Sequence, residues 1–129
     1  MWIDDDYDLI GALMVRLHQA DYHIVKLRTY SEALEEIQLI KNCDILILDI
    51  LLPQGSKEAI EIDGSNFYTG LILLRLLQDD HNFDRPVIVC SVVTQNEIIQ
   101  ELETRADTVL YKPEMTATKM KQEVEQVLN

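Results

Sequence analysis

The sequence predicts an α/β protein in which a parallel sheet is covered by helices on both faces. Three observations predict it. Short apolar runs alternate along the chain with segments of helical period, the pattern of repeated strand–helix units. The run Ile45-Leu46-Ile47-Leu48 is apolar on successive residues, so both faces of that strand should be buried, as in a parallel sheet. At 129 residues the chain can bury one substantial core but not two, which makes it a single domain over residues 1–129.

Each element has its own signal. Met1-Trp2-Ile3 forms the first strand, short for a central position, and it runs into Asp4-Asp5-Asp6. Leu9, Leu13 and Leu17, with Ile10 and Met14 beside them, recur at helical spacing and place the first helix at about 6–19. Residues 22–27 read as the second strand. Ser31 is a good N-cap for a second helix carrying Ala33, Leu34, Ile37 and Ile40. Residues 45–48 are the third strand, and the third helix covers about 67–78. Pro86 opens the fourth strand, and Thr94 with Glu97 makes a capping box for a fourth helix through Glu103. Residues 108–111 are the fifth strand, and Met120, Val124, Val127 and Leu128 give the closing helix its apolar stripe. The result is (βα)5, a three-layer sandwich. Its outlier is the stretch 54–69, which holds Gly55, Gly64 and the acids Glu58, Glu61 and Asp63. It is long for a strand-to-helix loop of about 2–6 residues, and loops of that length are usually functional or disordered.

Composition narrows the function classes. The longest apolar stretches are interrupted by charge and fall short of the roughly 20 residues of a membrane span. The N-terminus lacks the basic-then-apolar pattern of a signal peptide. Cys43 and Cys90 are too few for a disulfide framework and lie in or beside strands, so they read as reduced core residues of a cytoplasmic protein. A net charge of −12 argues against direct nucleic-acid binding, which depends on Lys and Arg neutralising phosphates. It suits a basic partner or a metal.

Four landmarks fall where strands should stop: the Asp4-Asp5-Asp6 cluster, Asp49, Ser91 and Lys112-Pro113. Open α/β sheets bind ligands at that edge. In a flavodoxin-like order, 2-1-3-4-5, strands one and three are neighbours, so Asp5 and Asp49 meet despite 44 residues between them. Clustered carboxylates repel unless a cation intervenes, and Mg²⁺ favours such oxygen ligands. A carboxylate so held can attack phosphorus and form an acyl phosphate, with Ser91 donating to the phosphoryl oxygens and Lys112 neutralising them. Taken singly the signals are weaker. An Asp cluster is commonly a helix N-terminus favoured by the dipole, and Ser91 or Lys112 alone would be an ordinary strand-end residue. Asp49 is harder to dismiss, because an acid ending an apolar strand is costly unless paired. His18, His23 and His81 have no partners at catalytic spacing, and Trp2 reads as a packing residue.

Over essentially the whole chain these residues resemble the response-regulator receiver domain of two-component signalling, of the chemotaxis-regulator type. Asp4 and Asp5 match the family's acid pair. Asp49 matches the phosphoacceptor, with Pro53 at the usual four-residue offset. Ser91 matches the Ser/Thr switch position, and Lys112-Pro113 the lysine with its cis-proline partner. The resemblance implies that Asp5, Asp49 and the carbonyl of Leu51 ligate Mg²⁺, with Asp4 acting through a metal-bound water. It implies a phosphoryl group taken onto Asp49 from a sensor histidine kinase or histidine phosphotransfer protein. Phosphorylation would then pull Ser91 inward and repack the face of the fourth helix, fifth strand and closing helix, toward a downstream target, an output domain or a second copy. Such a chain is a phosphoacceptor, with at most self-catalysed transfer and autodephosphorylation, and has no membrane partner. With Asn129 inside the last helix, it reads as a single-domain regulator or as part of a longer protein.

The chain departs from the family at three places. Val109 stands where an aromatic switch residue is usual, with Tyr111 on the opposite strand face. Val92 replaces a small residue and would crowd the phosphoryl group. The loop after Pro53 is about a dozen residues longer than the family's, which suits a lid, a kinase-docking surface or a dimer contact. A phosphorylation-independent receiver acting as a constant binding module is the alternative. A Mg²⁺-dependent aspartyl phosphatase of the haloacid-dehalogenase type ranks lower, because there the nucleophilic Asp comes on the first strand and the paired acids come last.

Overall fold

The computed structural model describes residues 1–55 and 68–129; most of the predicted long loop lies outside the described residues. Strands β1 (Trp2–Ile3), β2 (Lys26–Leu27), β3 (Leu46–Leu48), β4 (Val87–Ser91) and β5 (Thr108–Tyr111) pair in the order β2-β1-β3-β4-β5. All four pairings are parallel, as predicted. The helices are α1 (Tyr7–Leu13), α2 (Val15–Gln19), α3 (Tyr30–Glu35), α4 (Ile37–Lys41), α5 (Thr69–Arg75), α6 (Asn96–Arg105) and α7 (Ala117–Leu128). A π turn, Leu76–Asp80, extends α5.

The predicted first helix is α1 and α2 in series. Met14 keeps helical dihedrals, and hydrogen bonds from Met14 N–H to Ile10 O and from His18 N–H to Met14 O run through the join at 2.9 Å each. The predicted second helix breaks more clearly, at Glu36 (φ −116°, ψ 28°), into α3 and α4.

Successive strand side chains alternate between two cores. Ile3, Leu46, Leu48, Val87 and Val89 join the core shared with α3 to α6. Trp2, Ile47, Ile88, Cys90 and Leu110 join the other, beneath α1, α2 and α7. This is why β1 and β3 are apolar at every position and β4 is apolar up to Ser91. Each fully buried Leu or Ile contributes about 1.5–3 kcal/mol relative to exposure.

Four local expectations are corrected. The second strand shrinks from 22–27 to Lys26–Leu27, at the sheet edge, where its partner β1 is itself two residues long. Thr29, not Ser31, caps α3: its hydroxyl accepts the Glu32 N–H at 3.1 Å. Ser31 lies inside the first turn, where its own N–H donates to Gln54 O at 2.9 Å, beside a Tyr30 N–H to Pro53 O bond. No Thr94–Glu97 capping box forms; α6 starts one residue later than that box requires, after Gln95, without a side-chain cap. Finally, all peptide bonds among the described residues are trans, including Lys112–Pro113. There Pro113 enters the short 3₁₀ turn Lys112–Glu114 near its start, where its fixed φ and missing N–H cost little.

A polar clasp joins α5 to α6. Arg75 donates from Nε to Glu101 Oε2 at 2.6 Å and a second time to Oε1. Arg105 donates to the same Glu101 at 2.9 Å and to both oxygens of Asp79 at 3.2 Å. Gln78 Nε2 donates to Arg105 O at 2.8 Å. At the other end of the pair, Tyr68 OH donates to Gln95 Oε1. The Arg75 hydrogen bonds, opposed by partial burial and reinforced by Arg105, hold the Glu101 carboxyl below its ordinary 4.5. A depressed carboxyl stabilises the fold above the unfolded-state value and loses that contribution as pH falls through the folded one. Glu101→Gln should therefore melt below the wild type at pH 6, with the gap closing as pH drops below 4.5. A gap independent of pH in thermal melts would exclude this linkage.

Candidate functional site

The sheet delivers four side chains to one edge. Ile3 pairs with Leu48, and Leu48 with Val89, so the residues that follow β1 and β3 emerge side by side. Backbone hydrogen bonds from Asp4 N–H to Leu27 O (3.0 Å) and from Asp49 N–H to Ile3 O (2.9 Å) extend the ladder one residue and fix both acids. Asp4, Asp5 and Asp49 each offer a carboxylate oxygen, and these oxygens lie within 4.8 Å of one another. Asp4 is wholly buried, Asp49 is 5% exposed and Asp5 faces solvent. Asp6 stands apart: its carboxylate accepts the Leu9 N–H and caps α1.

Lys112, buried at the end of β5, is the counter-charge. Its Nζ lies 2.7 Å from Asp4 Oδ2 and 3.3 Å from Asp49 Oδ2. The remaining oxygens take backbone donors: Asp6 N–H to Asp4 Oδ1 at 2.9 Å and Leu51 N–H to Asp49 Oδ1 at 3.3 Å. Burial pushes the Asp4 carboxyl above its ordinary value, although Lys112 and the Asp6 amide pull the other way. For Lys112, burial acts to lower the ammonium, but Asp4 and Asp49 together outweigh it and the net shift is upward. The Lys112 shift favours a charged ammonium between the two acids, while burial works against the charged form of Asp4.

Three carboxylates against one ammonium leave the cluster short of positive charge. Hard oxygen donors at that spacing fit a divalent cation such as Mg²⁺ better than a soft metal. Leu51, the other predicted ligand, follows in the loop beyond Asp49 and contributes its amide to Asp49.

Ser91 ends β4 with 3% exposure, and its Oγ has no hydrogen-bond partner among the described residues. A buried hydroxyl without a partner costs about 1–3 kcal/mol, so its retention at this edge suits an incoming acceptor. Val92 is 45% exposed and stands at the mouth of a hollow of about 610 Å³ shared with Asp5, Asp6, Lys112 and Pro113. Val109 is half-buried against the core, and Tyr111 is 42% exposed at the end of the strand; two residues apart, they share one strand face rather than the opposite faces expected. Cys90 lies beneath the site; burial pushes its thiol up to about 12, which keeps it protonated and unreactive.

One residue escaped sequence reasoning. The Gly70 N–H donates to Ile50 O at 2.8 Å and docks the start of α5 on the acceptor loop. A Cβ there would lie 2.1 Å from Asp49 O and 2.6 Å from Ile50 Cα. Gly70 follows the long loop without a turn motif, so nothing local marks it.

No protein-family model matches the chain, and no curated protein matches it. Solved structures do. The beryllofluoride-activated receiver domain of RstA from Klebsiella pneumoniae superposes with a TM-score of 0.73 at 21% identity, covering 99% of this chain and 96% of that one. The receiver domain of NtrX from Brucella abortus gives 0.70 at 23%, covering 98% and 95%. A CheY-like receiver domain protein from Methanospirillum hungatei gives 0.69 at 19%, covering 98% and 90%. The chain thus has the fold of response-regulator receiver domains along nearly its full length. Among the described residues no helix is long and apolar enough to cross a membrane.

Proposed function

We propose that this chain is a response-regulator receiver that accepts a phosphoryl group on Asp49. The observation that carries the reading is the meeting of Asp4, Asp5 and Asp49 with a buried ammonium and an unpartnered hydroxyl at one sheet edge. Asp5, Asp49 and the Leu51 carbonyl would hold Mg²⁺, with Asp4, already paired to Lys112, acting through a metal-bound water. The metal would supply positive charge to the phosphoryl oxygens as they develop negative charge. An Asp49 carboxylate oxygen attacks phosphorus, a P–O bond to Asp49 forms, and the bond to the donor breaks. The electron pair leaves with the donor's imidazole or carboxylate. Lys112 stays within reach of the transferred group, and Ser91 donates its hydroxyl proton to a phosphoryl oxygen.

The donor class is a histidine kinase or histidine phosphotransfer protein, and the receiving partner is a downstream protein or output domain, in a cytoplasmic relay. The new charge biases a two-state equilibrium, which the face of α6, β5 and α7 reports. The chain is the acceptor in this reaction, not an enzyme with turnover of an external substrate.

Intact-mass analysis after incubation with Mg²⁺ and acetyl phosphate tests the reading. The wild type should gain one phosphoryl group and Asp49→Ala none. Absence of any gain, also with a kinase and without response to beryllofluoride, would leave the constant binding module. The half-buried Val109 and outward Tyr111 favour that second reading, since they remove the inward-turning aromatic from β5.

A further inference from the structure

Lys26 and Arg28 are an oddity in a chain of 23 acids and 11 Lys and Arg. Both lie against the ring of Tyr7, Lys26 Nζ at 4.6 Å and Arg28 Cζ at 4.2 Å from its centroid. Among the described residues neither forms an ion pair. Yet Arg28 lines a hollow of about 440 Å³ with Asp5, Asp6 and Asp8, where it is the only cation among the described residues. Asp5 and Asp6 also line the hollow that holds Lys112, so the acid cluster has a cation on either side. The two differ in use. Lys112 is buried and committed to Asp4 and Asp49, whereas Arg28 is exposed and uncommitted.

Arg28 is also held in place. The Tyr7 ring is set by the start of α1, where Tyr7 N–H donates to Asp5 O at 3.0 Å. The Arg28 N–H donates to Glu32 Oε2 at 2.9 Å. A guanidinium stacked on an aromatic loses less freedom on meeting an anion than a free side chain does.

We infer that Arg28, backed by Lys26 on the Tyr7 ring, is the cation that draws the dianionic phosphoryl group of the donor across the acidic rim toward Asp49. This rests on the proposed function and adds to it a specificity-determining residue outside the acid–hydroxyl–lysine set. An approaching dianion meets Asp5, Asp6 and Asp8 before it reaches the buried ammonium. A fixed, unpaired cation on that side lowers the barrier to entry by long-range attraction, which salt screens.

The test compares wild type, Arg28→Gln and Arg28→Lys with Mg²⁺ and acetyl phosphate, reading the phosphorylation rate at low and high salt. Arg28→Gln should react roughly 3- to 10-fold more slowly at low salt, with the difference fading at high salt and Arg28→Lys falling between. Mg²⁺ affinity, read from the metal-induced shift in melting temperature, should be equal or tighter in Arg28→Gln, because a nearby positive charge has gone. An unchanged rate overturns the inference. So does a slowing that persists at high salt together with weaker Mg²⁺ binding, since that marks a damaged site. If the wild type takes no phosphoryl group, the proposed function has failed, and the Mg²⁺ comparison decides alone. Weaker Mg²⁺ binding in Arg28→Gln would then overturn the inference too, as the mark of a damaged site, and equal or tighter binding would show that only the proposed function has failed.

Discussion

Gly70→Ala is expected to lower the melting temperature by roughly 10 °C and to slow phosphoryl acceptance. The added Cβ would stand 2.1 Å from Asp49 O, a contact with backbone rather than with the end of a flexible side chain. Neither partner can yield cheaply. Asp49 is fixed by its N–H bond to Ile3 O, and Gly70 by its own N–H bond to Ile50 O. Overpacking of this kind costs at least the upper end of about 1–3 kcal/mol, and in a domain of this size 1 kcal/mol shifts the melting temperature by roughly 4 °C. Relief by moving α5 outward would displace the backbone that aims Asp49. Gly11→Ala is the matched control. A Cβ at Gly11 meets nothing within 4 Å on an α1 residue, so helix propensity alone should raise stability by about 1 kcal/mol. Thermal melts of both variants decide the matter. Equal behaviour would mean that the Gly70 backbone approach is not a constraint.

Lys112→Met should cost about 3–5 kcal/mol at neutral pH, because it leaves Asp4 and Asp49 buried without their ammonium. The pH dependence has a definite sign. Burial already holds the Asp4 carboxyl above 3.8, and removing Lys112 deletes the leading opposing influence. A carboxyl raised in the folded state favours folding below its unfolded value and loses that contribution as pH rises through the folded one. The variant's deficit should therefore be largest near pH 7 and shrink toward pH 4. Mg²⁺ should raise its melting temperature more than that of the wild type, since three carboxylates then face the cation with no competing ammonium. Loss of stability with no pH dependence and no added Mg²⁺ response would show that Lys112 matters through packing alone.

The gathering of the candidate residues was legible because strand ends are legible. Apolar runs stop at Asp4, Asp49, Ser91 and Lys112, and parallel pairing carries all four to the same edge. Local capping was less legible. Thr29 and Ser31 are both good caps by composition, and the choice between them followed from where Pro53 and Gln54 place their carbonyls, on the amides of Tyr30 and Ser31. The Thr94–Glu97 box failed for a related reason: α6 has its start set by its contacts with α5, including Tyr68 to Gln95, rather than by its own first residues. The clasp of Arg75, Glu101, Arg105 and Asp79 joins residues about 26 apart on two separate helices, a distance at which no sequence pattern speaks.

By itself the sequence determined the α/β class, the five strands, their parallel character and the residues that end them, because apolar periodicity and strand termini are local properties; the order 2-1-3-4-5 was expected from a flavodoxin-like arrangement, and the pairings bear it out. Only the tertiary structure decided which carboxylate is buried and which faces water, how Lys112 divides between Asp4 and Asp49, and why residue 70 must be glycine. It also decided that Arg28 stands beside the acids with no ion-pair partner among the described residues. These depend on distances between segments far apart in the chain, and packing fixes those only when the whole sheet has formed.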